Sequence, residues 1–127
     1  MEDSFSLLNL TKSKHPSLPY KEMKEKVLGK KYILSLVFIG EKRSKDLNKK
    51  HRGKDKVANV LSFPYSPTEG EIFITLKKAQ REARNFNKSY KKFVGYLAIH
   101  GLLHLKGMDH GSKMDETEIR LSKFFHV

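Results

Sequence analysis

Phe93-Val94-Gly95-Tyr96-Leu97-Ala98-Ile99-His100-Gly101-Leu102-Leu103-His104-Leu105-Lys106-Gly107-Met108-Asp109-His110 is the stretch on which the fold turns. From Phe93 to Lys106 apolar side chains occur nearly all round the helical wheel, so this helix has no polar face to give to water and must be buried at the centre. Phe93, Leu97, His100 and His104 fall on one stripe, and the stripe changes from apolar to imidazole where the helix reaches solvent or a cleft. His100 and His104 lie one turn apart, close enough to share one ion. Gly107 follows the last periodic residue. A glycine there takes the left-handed conformation that ends a helix and turns the chain back, so His110 approaches the same ion from a loop.

Three neutral nitrogens from His100, His104 and His110 suit one zinc ion. Three protein ligands with an open fourth position is the catalytic arrangement, whereas structural zinc takes four ligands, often cysteines. The chain has no cysteine. A packed core explains a lone histidine on an apolar face, but not a triplet at this spacing. The same spacing occurs in the metzincin proteases, H-E-x-x-H-x-x-G-x-x-H. Gly101 stands where those enzymes carry their glutamate base, which disfavours peptide hydrolysis.

Outward from this helix, the chain reads as a small α/β (α+β-like) protein. About four strands in a mixed sheet pack with helices around the central ligand-bearing helix. Residues 1–127 form one domain, enough for a single core. A first strand is expected over Ser4–Leu10, a helix over Tyr20–Leu28, and the strongest strand over Tyr32–Ile39, whose apolar density points to an interior position. Glu41–Lys50 reads as a solvated helix with Leu47 inward, followed by a charged loop, His51–Lys56. Val57–Phe63, ended by Pro64, and Glu71–Thr75 read as an antiparallel hairpin turned by Ser66, Pro67 and Gly70. Leu76–Asn87 is a helix with Leu76, Ala79, Ala83 and Phe86 inward. Ser112 caps a last helix, with Met114, Leu121 and Phe125 on its apolar side.

The 26 Lys and Arg against 14 Asp and Glu give +12, with a sequence pI near 9.9, a balance fitted to polyanions and first of all to nucleic acid. Lys77, Lys78, Arg81 and Arg84 make one basic helix face, the expected RNA-binding surface. Met1–Leu10 lacks the basic start and apolar run of a targeting segment, and no stretch is long enough to span a membrane, so a cytoplasmic protein is expected.

Two segments together resemble the YbeY endoribonucleases, the rRNA maturation factors. Arg52-Gly53-Lys54-Asp55-Lys56 with Asn59-Val60-Leu61-Ser62-Phe63-Pro64 is similar to that family's R-G-x-D-x-x-T-[DN]-V-L-S-F-P block. His100 to His110 is similar to its H-G-x-L-H-L-x-G-x-D-H block. The resemblance runs from about Leu34 to Phe125. Val57-Ala58 replaces the usual Pro-Thr, Glu71 the usual Asp, and Met108 a common Tyr.

The resemblance implies a zinc-dependent, single-strand-specific endoribonuclease of ribosomal RNA, acting in 16S rRNA 3′-end maturation and ribosome assembly or quality control. It implies His100, His104 and His110 as metal ligands and Arg52 as the catalytic arginine, with ribosomal proteins or assembly GTPases as protein partners. A guanidinium there can pair bidentately with phosphate charge. RNA supplies a nucleophile of its own in the 2′-hydroxyl, which lessens the need for a base at Gly101. Two other readings stay open: a non-nucleolytic assembly factor whose metal braces the fold, and a metal-dependent hydrolase of another substrate. Asp109 reads as a loop cap or as an acceptor that orients a ligand histidine, rather than as a ligand. His15, His51 and His126 read as incidental.

Overall fold

The computed structural model describes residues 4–127; Met1–Asp3, the acidic start of the stretch read as lacking a targeting segment, lie outside the described residues. β1 (Phe5–Asn9), α1 (Tyr20–Leu28), β2 (Ile33–Ile39) and α2 (Glu41–Arg52) are followed by β3 (Val60–Ser66) and β4 (Glu69–Thr75). Then come α3 (Leu76–Glu82), a tighter 3-10 turn (Ala83–Phe86), α4 (Tyr90–Leu105) and α5 (Ser112–Phe125). The four strands form one mixed sheet in the order β1-β2-β4-β3. β2 runs parallel to both neighbours, and β3 and β4 form the antiparallel hairpin. The expected α/β architecture and the interior place of β2 are therefore observed.

α4 is the buried axis. Val94, Leu97, Ala98 and Leu102 pack with Leu34, Leu36, Phe38, Ile72 and Ile74, the residues that alternate onto one face of β2 and β4. α1, α3 and α5 flank it. Val37, Ile39 and Leu61 are buried as well, on the opposite face of the sheet, which α2 covers at β4. That double burial is why the β2 sequence runs apolar without alternation.

Several boundaries differ from the sequence expectation, each for a local reason. α2 continues through His51 and Arg52, and Gly53, at φ 68, ends it. Leu47 is only half-buried; the inward residues of α2 are Ser44 and Asn48. Ser44 Oγ bonds both the N–H and the carbonyl of Ala58 at 2.9 Å, and Thr75 Oγ1 donates to the same carbonyl at 2.6 Å. These bonds hold Ala58 away from the ladder, Asn59 keeps only its carbonyl bond from Thr75 N–H at 3.0 Å, and β3 starts at Val60.

Pro64 does not end β3. It sits in an edge strand, where a missing N–H is tolerated, beside an irregularity between Pro64 and Ser66. The expected helix over Leu76–Asn87 tightens after Glu82. At 3.0 rather than 3.6 residues per turn, Phe86 swings roughly 60° off the inner stripe, leaving it 48% exposed against Phe93. Ser112 is the first residue of α5 rather than its cap, a position held by Gly111.

Gly70, in β4 beside the end of α4, has a steric reason to be glycine. A Cβ there would sit 2.9 Å from Leu105 Cδ2 and 3.2 Å from the Phe63 carbonyl, and against the Tyr32 hydroxyl. Gly70→Ala is expected to cost about 1–3 kcal/mol by overpacking, seen as a lowered melting temperature; an unchanged melt would mean that the hairpin is not fixed against α4.

Candidate functional site

The proposed ligands meet. His100, His104 and His110 place one ring nitrogen each within 4.8 Å of one another. His100 and His104 come from the last two turns of α4, and the helix ends in a way that returns the chain to them. Gly107, at φ 99, donates to the His104 carbonyl at 3.0 Å, and Met108 N–H donates to the Leu103 carbonyl at 3.0 Å. This is the paired closure of a glycine-ended helix, with Met108 packed on the core.

Both helical histidines are turned the same way. His104 Nδ1 lies 3.1 Å from the Met108 carbonyl, which can only accept, so Nδ1 carries the proton. His100 Nδ1 donates to Glu118 Oε1 at 2.6 Å. In the neutral form that metal binding needs, the Nε2 lone pair of both rings is therefore the free one, and the two Nε2 atoms face each other at 3.1 Å. Opposed lone pairs repel unless a cation lies between them. Nitrogens bound to one tetrahedral ion at 2.0–2.1 Å would stand about 3.3 Å apart, so the donor set fits zinc. Burial, and then the neighbouring His100 and His110, hold His104 below the ordinary histidine range. It is thus neutral, as a ligand must be.

Glu118 is the functional residue that the sequence reading missed. It is 6% exposed and comes from α5, beside Tyr96, whose hydroxyl is pushed up to about 12 by burial and by this carboxylate. Burial alone would raise Glu118, but its hydrogen bonds to His100 and Tyr96 outweigh it and leave the carboxyl below its usual range. The role given to Asp109 moves accordingly: Asp109 is exposed, and the contacts that orient His100 and His104 are made by Glu118 and the Met108 carbonyl. A signal existed, since Glu118 lies four residues after Met114 and three before Leu121, an acid in the apolar stripe of α5. Glu118→Gln is expected to weaken metal affinity by roughly ten- to a hundredfold. Competition with a fluorescent chelator would measure it; unchanged affinity would reduce Glu118 to a packing residue.

The histidines open onto a cleft of about 740 Å³. Arg52 lines it from the last turn of α2 rather than from a loop, with Lys54 and Lys56 just beyond. The wall is pinned from below, because Asn48 Nδ2 donates to the Lys56 carbonyl at 2.9 Å and Ser44 holds Ala58. That is what the buried polar residues of α2 do. His51, read as incidental, stands in the cleft wall 5.0 Å from the Phe63 ring.

Of the expected basic face, Lys78 reaches the cleft and pairs with Glu82 at 3.2 Å, while Arg81 is bound to Glu41 at 2.7 Å. Lys77 and Arg84 are exposed. Gly101 is explained as well. Its Cβ would lie 3.0 Å from Ser62 Oγ and 3.1 Å from Ile72 methyls, and Ser62 donates to its carbonyl. The protease glutamate would have no room there.

With this geometry in hand, the sequence profile of one family, described as Endoribonuclease YbeY, matches residues 9–123. The Endoribonuclease YbeY of Thermodesulfovibrio yellowstonii is 38% identical over 95 residues, 69% of this chain and 58% of that protein. That of Staphylococcus aureus is 35% identical over 100 residues, 68% of this chain and 64% of the other. The chain thus spans less than two thirds of the length of these relatives. The solution structure of TM1509 from Thermotoga maritima superimposes with a TM-score of 0.64 at 26% identity, covering 94% of this chain and 87% of that one.

Proposed function

The chain belongs to the YbeY endoribonuclease family, and on that premise we propose that it is a zinc-dependent endoribonuclease that cuts single-stranded ribosomal RNA during 16S 3′-end maturation. The observation that carries this reading is the pair of opposed Nε2 lone pairs of His100 and His104, 3.1 Å apart, on the floor of a cleft walled by cationic side chains. Bound zinc would supply a Lewis acid and a water of lowered pKa. His100, His104 and His110 would hold it, and Glu118 and the Met108 carbonyl aim two of the three rings.

Arg52 is assigned to the scissile phosphate, where a planar guanidinium can meet two phosphate oxygens as charge builds. Lys54, Lys56 and Lys78 draw the strand into the cleft. A fourth protein ligand, closing the site, would favour a structural metal, but Glu118, the neighbouring buried carboxylate, is spent on the outer nitrogen of His100. Ribosomal proteins or assembly GTPases are assigned as protein partners, in the cytoplasm; no helix of the described residues is long and apolar enough to cross a membrane.

The deciding experiment is cleavage of single-stranded and duplex RNA by the purified protein, before and after chelation and zinc return. Activity that survives chelation would overturn the reading. RNA capture carries its own prediction. Affinity should fall log-linearly with salt, and each lost phosphate contact should flatten the slope by about 0.7. Replacing Lys77, Lys78, Arg81 and Arg84 together by alanine is expected to reduce the slope by roughly 2, less than four free cations would give, because Lys78 and Arg81 are already held by carboxylates. A slope equal to the parent's would make that helix face a solvated surface only.

A further inference from the structure

β3 is an edge strand, and a second cavity adjoins the histidine cleft there. This smaller pocket, of about 340 Å³, shares His51, Phe63 and Pro64 with the cleft as a common wall. None of the chemistry assigned above uses it. Its lining is aromatic: Phe63 meets Phe73 edge-on at 5.8 Å and His51 at 5.0 Å. Tyr65, also lining it, is 61% exposed. Aromatic rings set beside a cationic groove are the means by which proteins hold unpaired nucleic acid, because every base has a face to stack.

The pocket contains one carboxylate. Glu71 pairs with Phe63 across the β3–β4 ladder, so the two side chains leave the same face of the sheet. Tyr65 donates its hydroxyl to Glu71 Oε1 at 2.5 Å, which fixes the carboxylate while leaving Oε2 open. An ionised carboxylate only accepts hydrogen bonds, so whatever enters must present N–H groups to it. Among the RNA bases, guanine presents two adjacent donors, N1–H and N2–H, on one edge.

We propose that this pocket seats an unpaired guanine of the RNA strand where the strand crosses Phe63 and Pro64 from the histidine cleft, stacked on the aromatic wall and held by Glu71. The proposal rests on the reading of the chain as an RNA-cutting enzyme and adds to it a base preference beside the cut. A protein strand adding to the free edge of β3 is the competing occupant.

The test uses fluorescein-labelled 2′-O-methyl uridine hexamers carrying one guanosine, adenosine or cytidine, titrated with the full chain by fluorescence anisotropy. The guanosine hexamer should bind roughly tenfold more tightly than the others. Glu71→Gln should abolish that advantage while keeping general affinity, and Tyr65→Ala should weaken all hexamers by roughly tenfold. The exposure of Tyr65 makes this variant tolerable to the fold, and thermal melts check it. Equal affinity for the three hexamers, or a guanosine preference that survives Glu71→Gln, overturns the pocket. If Tyr65→Ala binds hexamers and cuts RNA like the parent, the pocket passes to a protein partner and the RNA-cutting reading stands. A parent that binds no hexamer and cuts no RNA ends both.

Discussion

His104→Ala is expected to carry roughly a tenth or less of the parent's zinc after desalting, the parent holding about one ion per chain. His104 is the central member of the triad: its ring lies 4.6 Å from that of His100 and 4.7 Å from that of His110, between centroids. Its loss leaves two ligands, one of them on an exposed loop. The same substitution should not cost the apo fold much, since alanine is the best helix former and removal of one Nε2 relieves the lone-pair repulsion at 3.1 Å.

Elemental analysis and a melt of the metal-free proteins therefore read in opposite directions: metal lost, apo stability kept. Undiminished zinc in His104→Ala would remove the site. Acid should release the parent's metal too, but late. Burial and its imidazole neighbours favour the neutral ring of His104, so protons compete for it only below the ordinary histidine pKa of about 6.5. Release that is complete at pH 7 would contradict this sign.

The sequence disclosed the histidine cluster because every element of it is local. The two histidines one turn apart, the apolar helix behind them and the glycine that ends it lie within one short stretch, and helix geometry alone brings them together. What was not legible depends on contacts between elements distant in sequence. Nothing near Ala58 says that its backbone will be bound by Ser44 and Thr75, yet those bonds decide where β3 begins. Asp109, two residues from Gly107, looked like the partner of a ligand ring, whereas the partner is Glu118, brought in by the packing of α5 along α4.

Polar residues on apolar faces were the overlooked clue in both cases. Ser44 and Asn48 on α2, and Glu118 on α5, sit where a hydrophobic residue would be worth more to the core. A buried polar group persists only when its hydrogen bonds are met. Ser44 Oγ and Asn48 Nδ2 meet theirs on the loop that walls the cleft, and Glu118 on His100, so each reports a site residue from behind it.

Arg52→Ala is expected to lower kcat for RNA cleavage by roughly a hundred- to a thousandfold, the effect of removing one donor aimed at charge that develops in the transition state. Zinc content and melting temperature should stay at the parent's values, because Arg52 is exposed on the last turn of α2 and packs nothing in the core. The position of Arg52 argues for a defined contact rather than a general field. Lys54 and Lys56 line the same cleft on a loop pinned by Asn48 and Ser44, so the local potential stays positive when Arg52 is lost. A field effect would then appear mainly in KM and would be recovered by Arg52→Lys. A bidentate contact would appear in kcat, and lysine, a point charge without the planar fork, would recover little of it. Full activity in Arg52→Lys would make Arg52 one cation among several and return the catalytic burden to the metal site alone.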